Sequence, residues 1–164
     1  MADPIQTETF LADLNNDVQV HTVRSLLDAF ARDPSGQSAP IEPRLLEQTT
    51  AMLAAHPGAR ILVACHNGRP AGIATCYLGF ATFSAARTLH IHDLFVEGQT
   101  RGRGVGRALI EACADQARAD ECTKLTIEAL MNNRSAIRLY EAAGFGPFSP
   151  QEGMGLSTTL VRAL

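Results

Sequence analysis

The stretch Gln99-Thr100-Arg101-Gly102-Arg103-Gly104-Val105-Gly106-Arg107 decides how this chain is read. The residues before it, 88–96, are apolar and β-branched enough for a strand. The residues after it, 105–119, place Val105, Ala108, Leu109, Ala112 and Cys113 on one helical stripe. The stretch is therefore a strand-to-helix turn. Its three alternating glycines let the backbone turn tightly and approach a ligand. The helix that follows opens with free N–H groups and the positive end of its dipole. Together these features make a cradle for a pyrophosphate. A Walker A loop needs G-K-[ST], and the only lysine is Lys124. A dinucleotide fingerprint needs G-x-G-x-x-G in an early βαβ unit, which Gly102-x-Gly104-x-Gly106 does not supply. Arg101, Arg103 and Arg107 could add charge to the cradle or remain solvated.

Working outward, the strand over 88–96 has an irregular pattern. Leu89 and Ile91 are apolar at odd positions, and Leu94 and Val96 at even ones. Side chains on a regular strand alternate with period two, so this parity change predicts a one-residue bulge near His92 and Asp93. Burial of both faces would also blur the alternation. Before it, 61–66 and 70–80 read as two strands joined by Asn67-Gly68, the strongest short hairpin signal. A first strand over 9–14 precedes helices over 18–32 and 44–55. After the helix over 105–119 come a strand over 124–130 and a short helix over 135–143. Asn132-Asn133 caps that helix and Gly144 ends it. A last strand over 156–164 completes the order β-α-α-β-β-β-α-β-α-β(-β), which is an α/β (α+β) domain with a mixed sheet.

Composition narrows the function. The 164 residues suit a single domain, 1–164. A net charge of −3 disfavours a nucleic-acid binder that works by neutralising phosphates. No apolar run approaches a membrane span, and the N-terminus carries no secretory pattern, so a cytoplasmic protein away from the membrane is expected. Cys65, Cys76, Cys113 and Cys122 form no C-x-x-C pair, and three of them lie in apolar stretches as small hydrophobes would. His90-x-His92 could share a face, but only Asp93 is near as a third ligand, so no metal site is assigned. Tyr77 and Tyr140 are the only phenols.

A family resemblance now joins these residues. Gln99-x-x-Gly102-x-Gly104 and Arg101-x-x-Gly104-x-Gly106 both match Q/R-x-x-G-x-G/A, the pyrophosphate motif of the GNAT superfamily of acetyl-CoA-dependent N-acetyltransferases. A second block follows at that family's spacing: Glu128, then Asn133-x-x-Ala136-x-x-Leu139-Tyr140-x-x-x-Gly144-Phe145. The resemblance is strong over 89–145. It implies a mixed, mostly antiparallel sheet of six to seven strands, flanked by about four helices, with the fourth and fifth strands splayed. Acetyl-CoA would fill that splay. Backbone groups of Leu94, Phe95 and Val96 would bond its pantetheine arm, and one N–H would polarise the thioester carbonyl. The N–H groups of Arg101, Gly102, Arg103, Gly104, Val105 and Gly106 would hold the pyrophosphate, and Asn133 would touch the arm near the thioester. Tyr140 matches the family's general acid. Glu128 matches a general base of some members, such as the ribosomal-protein alanine acetyltransferases, and Asp93 at the bulge competes with it.

The implied reaction is direct acetyl transfer to a primary amine, more in keeping with a small molecule than a protein. A non-catalytic acyl-CoA-binding module on the same fold is the alternative, but it would need neither Tyr140 nor a carboxylate. The acceptor would be shaped by the segment 27–44 and by residues after Phe145. Family members often dimerise, and the strand over 156–164 could pair across a homodimer.

Overall fold

The computed structural model describes residues 7–146. Its elements are β1 (Thr7–Leu11), α1 (Asp17–Arg32), α2 (Pro43–Ala55), β2 (Ala59–His66), β3 (Arg69–Ala81), β4 (Ala86–Val96), a 3₁₀ turn (Gly98–Thr100), α3 (Val105–Ala119), β5 (Cys122–Ile127) and α4 (Arg134–Ala142). The five strands lie in sequence order. β1 to β4 pair antiparallel and β5 joins β4 in parallel. The sheet thus has five strands among the described residues rather than six to seven. The strand expected over 156–164, and the homodimer pairing built on it, lie outside those residues.

Alternation along the strands builds two cores. Ile61, Val63, Ile73 and Phe95 face one way and meet Val23, Leu26 and Leu27 of α1 and Leu53 of α2. Leu62, Ala64, Ala74, Cys76, Leu89 and Ile91 face the other way and meet Val105, Leu109 and Cys113 of α3. The sheet is therefore sandwiched between α1 and α2 on one face and α3 on the other. Cys76 and Cys113 sit in the second core with their sulfurs 3.6 Å apart. That contact and burial push the Cys76 thiol far above its ordinary range. All four cysteines are free thiols.

The sequence signals act where expected. Asn16 caps α1, its side chain accepting from the Val18 and Gln19 N–H groups at 3.0 and 3.2 Å. Asn67 and Gly68 make the turn between β2 and β3. Two strand ends differ from expectation. β1 starts and stops earlier than 9–14, because Ala12 makes the last bond to β2, at Ile61, and Asp13 and Asn15 then turn the chain toward α1. β5 stops at Ile127 rather than residue 130, because its partner β4 leaves it there.

The parity change in β4 is a bulge. Thr75 faces Asp93 while Cys76 faces Ile91, so His92 is the extra residue. Leu94 and Val96 consequently pack on the same core as Leu89 and Ile91. The bulge also places His92 and Asp93, neighbours in sequence, on the opposite face.

Candidate active site

The bulge opens the site. β4 and β5 are paired from Arg87 with Cys122 to Ile91 with Ile127, and the ladder stops there. Beyond that point the β5 side of Leu94–Val96 has no strand against it among the described residues. The orientation of its backbone groups follows from the ladder. Glu97 N–H donates to the Ala71 carbonyl at 2.9 Å. Alternation along an antiparallel pair then turns the backbone groups of Phe95 toward β3 and those of Leu94 and Val96 into the gap. Phe95 contributes its ring instead, buried against Phe30 with centroids 5.3 Å apart.

The chain next forms the glycine turn. Gly102 and Gly104 adopt φ +75° and +86°, which a side chain would resist. Gly104 caps α3, and its carbonyl takes the first helical bond, from Ala108 N–H at 3.0 Å. The N–H groups of Val105, Gly106 and Arg107 are therefore the helix's unpaired donors, and with the dipole they favour an anion. Two predicted donors are committed elsewhere. Arg101 N–H bonds the Gly98 carbonyl at 3.4 Å and Arg103 N–H bonds the Thr100 carbonyl at 3.3 Å. They shape the turn from inside.

A cleft of about 490 Å³ runs from the gap to this turn. Leu94, Phe95, Val96, Arg101, Gly102, Gly104 and Gly106 line it, and Asn133 and Tyr140 close it from the side of α4. Gly106 lets the pieces meet: a Cβ there would lie 2.9 Å from Leu139 Cδ2 and 3.5 Å from Val96 Cγ2. Asn133 caps α4 through the Ala136 N–H at 3.2 Å and lines the cleft as well. Ser35 and Ser135 also line it, as do Ala136 and Leu139, which the sequence marks as motif positions without a site role. Ser35 had no signal, since it reaches the cleft from the loop after α1.

Tyr140 is set by the end of its helix. Gly144 takes φ +88° just beyond α4. Its N–H bonds the Glu141 carbonyl and Phe145 N–H bonds the Tyr140 carbonyl, both at 3.0 Å. This is a Schellman cap, in which the residue after the glycine packs back on the last turn. Phe145 does so against the Tyr140 ring, centroids 6.0 Å apart at 62°. Burial raises the Tyr140 phenol above its ordinary 10, so it holds its proton at neutral pH.

Polar side chains gather on the α1 and α2 face of β3 and β4. Tyr77 meets His92 and His56 ring to edge, with centroids 5.7 and 5.5 Å apart. His90 Nδ1 lies 2.9 Å from Thr126 Oγ1. Asp93 accepts a 2.5 Å bond from the Thr75 hydroxyl. Glu128 follows β5 directly and is exposed. Burial, and then the charge of Asp93, raise the Tyr77 phenol. Asp93 thus stands on the α1 and α2 face, while Tyr140 and the glycine turn line the cleft. His90 and His92 gather no third ligand: no group of three metal-binding side chains occurs among the described residues. None of the described helices is long and apolar enough to cross a membrane.

Known proteins resemble this chain in sequence and in fold. An uncharacterised N-acetyltransferase of Bacillus subtilis, YhfO, is 35% identical over 85 residues, covering 52% of this chain and 57% of that one. A thialysine N-epsilon-acetyltransferase of Bos taurus is 29% identical over 82 residues, covering 50% and 48%. The chain spans about half the length of the curated relatives it matches. The aminoglycoside N-acetyltransferase AAC(6')-Iy, solved in complex with CoA, shares the fold with a TM-score of 0.74, at 13% identity over 99% of this chain and 97% of that one. The model of the Acetyltransferase (GNAT) family matches residues 21–145, a span that holds the bulge, the glycine turn and the capped helix of Tyr140, and the chain belongs to that family.

Proposed function

We propose that the chain is an N-acetyltransferase that moves the acetyl group of acetyl-CoA directly to a primary amine in a ternary complex. The observation that carries this reading is the gap beyond Ile91, which presents unpaired strand groups and leads into an anion cradle with a half-buried phenol beside it. The residues fit the co-substrate. The Leu94 backbone groups and the Val96 N–H would bond the amides of the pantetheine arm as a strand would. The N–H groups of Gly102, Gly104, Val105 and Gly106 would meet the pyrophosphate. Arg101 and Arg103 would hold the turn in shape, and Asn133 would sit beside the arm.

The acceptor enters from the mouth walled by Tyr77, His92, Asp93 and Glu128. A protonated amine has no lone pair, so Glu128 or Asp93 takes one proton through water. The nitrogen then bonds the acetyl carbon and the carbon–sulfur bond breaks. An N–H of the open strand stabilises the oxyanion between these events, Tyr140 gives its proton to the departing sulfur, and the proton that the nitrogen sheds as the amide forms returns through water to the Tyr140 phenolate. The names of the thialysine and aminoglycoside enzymes support a small-molecule amine over a protein.

Thiol release from acetyl-CoA, measured against a polyamine, an amino acid, thialysine, an aminoglycoside and a peptide N-terminus, tests the reading. Turnover with a small amine is expected, together with thermal stabilisation by acetyl-CoA. Stabilisation without turnover on any amine would make the chain an acyl-CoA-binding module instead.

A further inference from the structure

Arg101 reads in the sequence as a cation for the cradle, yet its side chain points elsewhere. Its Nε donates to the Val96 carbonyl at 2.9 Å. Its Nη2 donates to Asp33 Oδ2 at 2.7 Å. Its guanidinium lies 6.0 Å from the centre of the Phe95 ring. Asp33 ends α1, its N–H returning to the Ala29 and Phe30 carbonyls. Its second carboxylate oxygen accepts the Ser35 N–H at 2.9 Å and the Ser35 hydroxyl at 2.6 Å. Ser35 lines the same cleft as Gly102, Gly104 and Gly106. At the far end of this loop, Ile41 N–H is held by Asp28 at 2.9 Å. One guanidinium therefore joins the open edge of β4, the start of the glycine turn and the loop over 33–42. The Asp33 side chain is 15% exposed and that of Arg101 49%, so the pair is shielded on its carboxylate side.

We propose that Asp33, acting through Arg101, is a positioning residue that locks the α1–α2 loop to the cradle. The loop and any ligand in the cleft are then linked: what binds the cradle slows loop opening, and what frees the loop weakens binding. The lock is a property of the ligand-free chain, and the linkage rests on the cleft being the coenzyme A site.

Amide hydrogen exchange on the full chain tests both parts, with wild type, Asp33→Asn, Arg101→Gln and the double variant. Asparagine keeps an oxygen for Ser35 and removes the charge facing Arg101. Without ligand, Asp33→Asn raises exchange about fivefold in both 34–41 and 102–107, the scale of one partly shielded charged hydrogen bond. It adds nothing further in the Arg101→Gln background, whereas two unrelated structural losses would multiply. Coenzyme A protects both segments in wild type and only 102–107 in Asp33→Asn. Faster exchange confined to 34–41, or effects that multiply, overturns the lock. Coenzyme A that protects neither wild-type segment overturns the linkage and the reading of the cleft, while the ligand-free arm still decides the lock.

Discussion

Replacing Tyr140 by Phe removes one oxygen and keeps the ring that packs on Phe145. The Schellman cap runs through the backbone of Tyr140, Glu141, Gly144 and Phe145, so the substitution leaves it in place. Folding stability therefore changes by less than about 1 kcal/mol. The rate changes more, because the lost hydroxyl is the donor for the departing sulfur. Positioned acids contribute about 10²–10⁴ in rate. A thiol is itself moderately acidic, with a pKa of about 8.5 for a simple one, so its anion leaves without complete protonation. The lower end applies: about a hundredfold in kcat, or about 2.7 kcal/mol at 1.36 per decade. The pH profile adds a second signature. The protonated phenol is the active form, and burial raises its pKa above the ordinary 10. Wild-type kcat loses this contribution only as pH climbs through that raised value, and the Phe variant has no such limb. Thiol release at saturating acetyl-CoA, followed from neutral pH upward, measures both. A variant within twofold of wild type, with its alkaline limb intact, would refute the role of Tyr140.

Three further outcomes are expected. Gly144→Ala forces a side chain to φ +88°, which costs about 1–2 kcal/mol. Because it displaces Phe145 from Tyr140, kcat should fall along with the melting temperature, which calorimetry and steady-state assays compare. Asp120 is held by Arg60 through two bonds, 2.8 and 2.9 Å, and by Gln116 at 2.8 Å. Asp120→Asn should cost about 2 kcal/mol in denaturant unfolding. The Arg60 bond lowers the Asp120 pKa, so this contribution is full above the ordinary 3.8 and fades as pH falls through the lower folded value. Asp93→Asn and Glu128→Gln, assayed singly, should separate the base from the wall: the base variant loses kcat, and the other changes mainly the acceptor KM.

Much of this site is legible in the chain because it is written in local periodicities. The parity change around His92 marks the bulge, Asn67-Gly68 the hairpin, and the alternating glycines the cradle. Asn133 and Gly144 mark both ends of α4. What periodicity does not carry is the partner of a long side chain. Arg101 looks like a phosphate ligand until Asp33, 68 positions away, is brought beside it. Arg60 and Asp120 are 60 positions apart and neither has a local signal. Strand ends escape the local pattern for a related reason. The apolar residues Leu14 and Leu130 continue the pattern, but a strand ends where its neighbour ends, and that neighbour is distant in sequence. The committed N–H groups of Arg101 and Arg103 follow the same logic, since a glycine-rich spacing shows that a turn exists and not which donors face inward.

The bulge ties these parts into one device. A regular β4 would keep Leu89, Ile91, Asp93 and Phe95 on a single face and would have no reason to leave β5 before its end. One inserted residue changes both conditions. It shifts Leu94 and Val96 onto the core beneath α3, which anchors the strand on its new course. It strengthens the local twist, and the ladder to β5 ends at Ile91, immediately before the insertion. The Leu94 backbone groups and the Val96 N–H then face a gap, while Arg101 takes the Val96 carbonyl. The same insertion sets His92 and Asp93 side by side on the far face, next to Tyr77 and Thr75. The open slot beside β5 and the polar wall around Asp93 thus arise from one residue, and the proposed transfer of an acetyl group would draw on both.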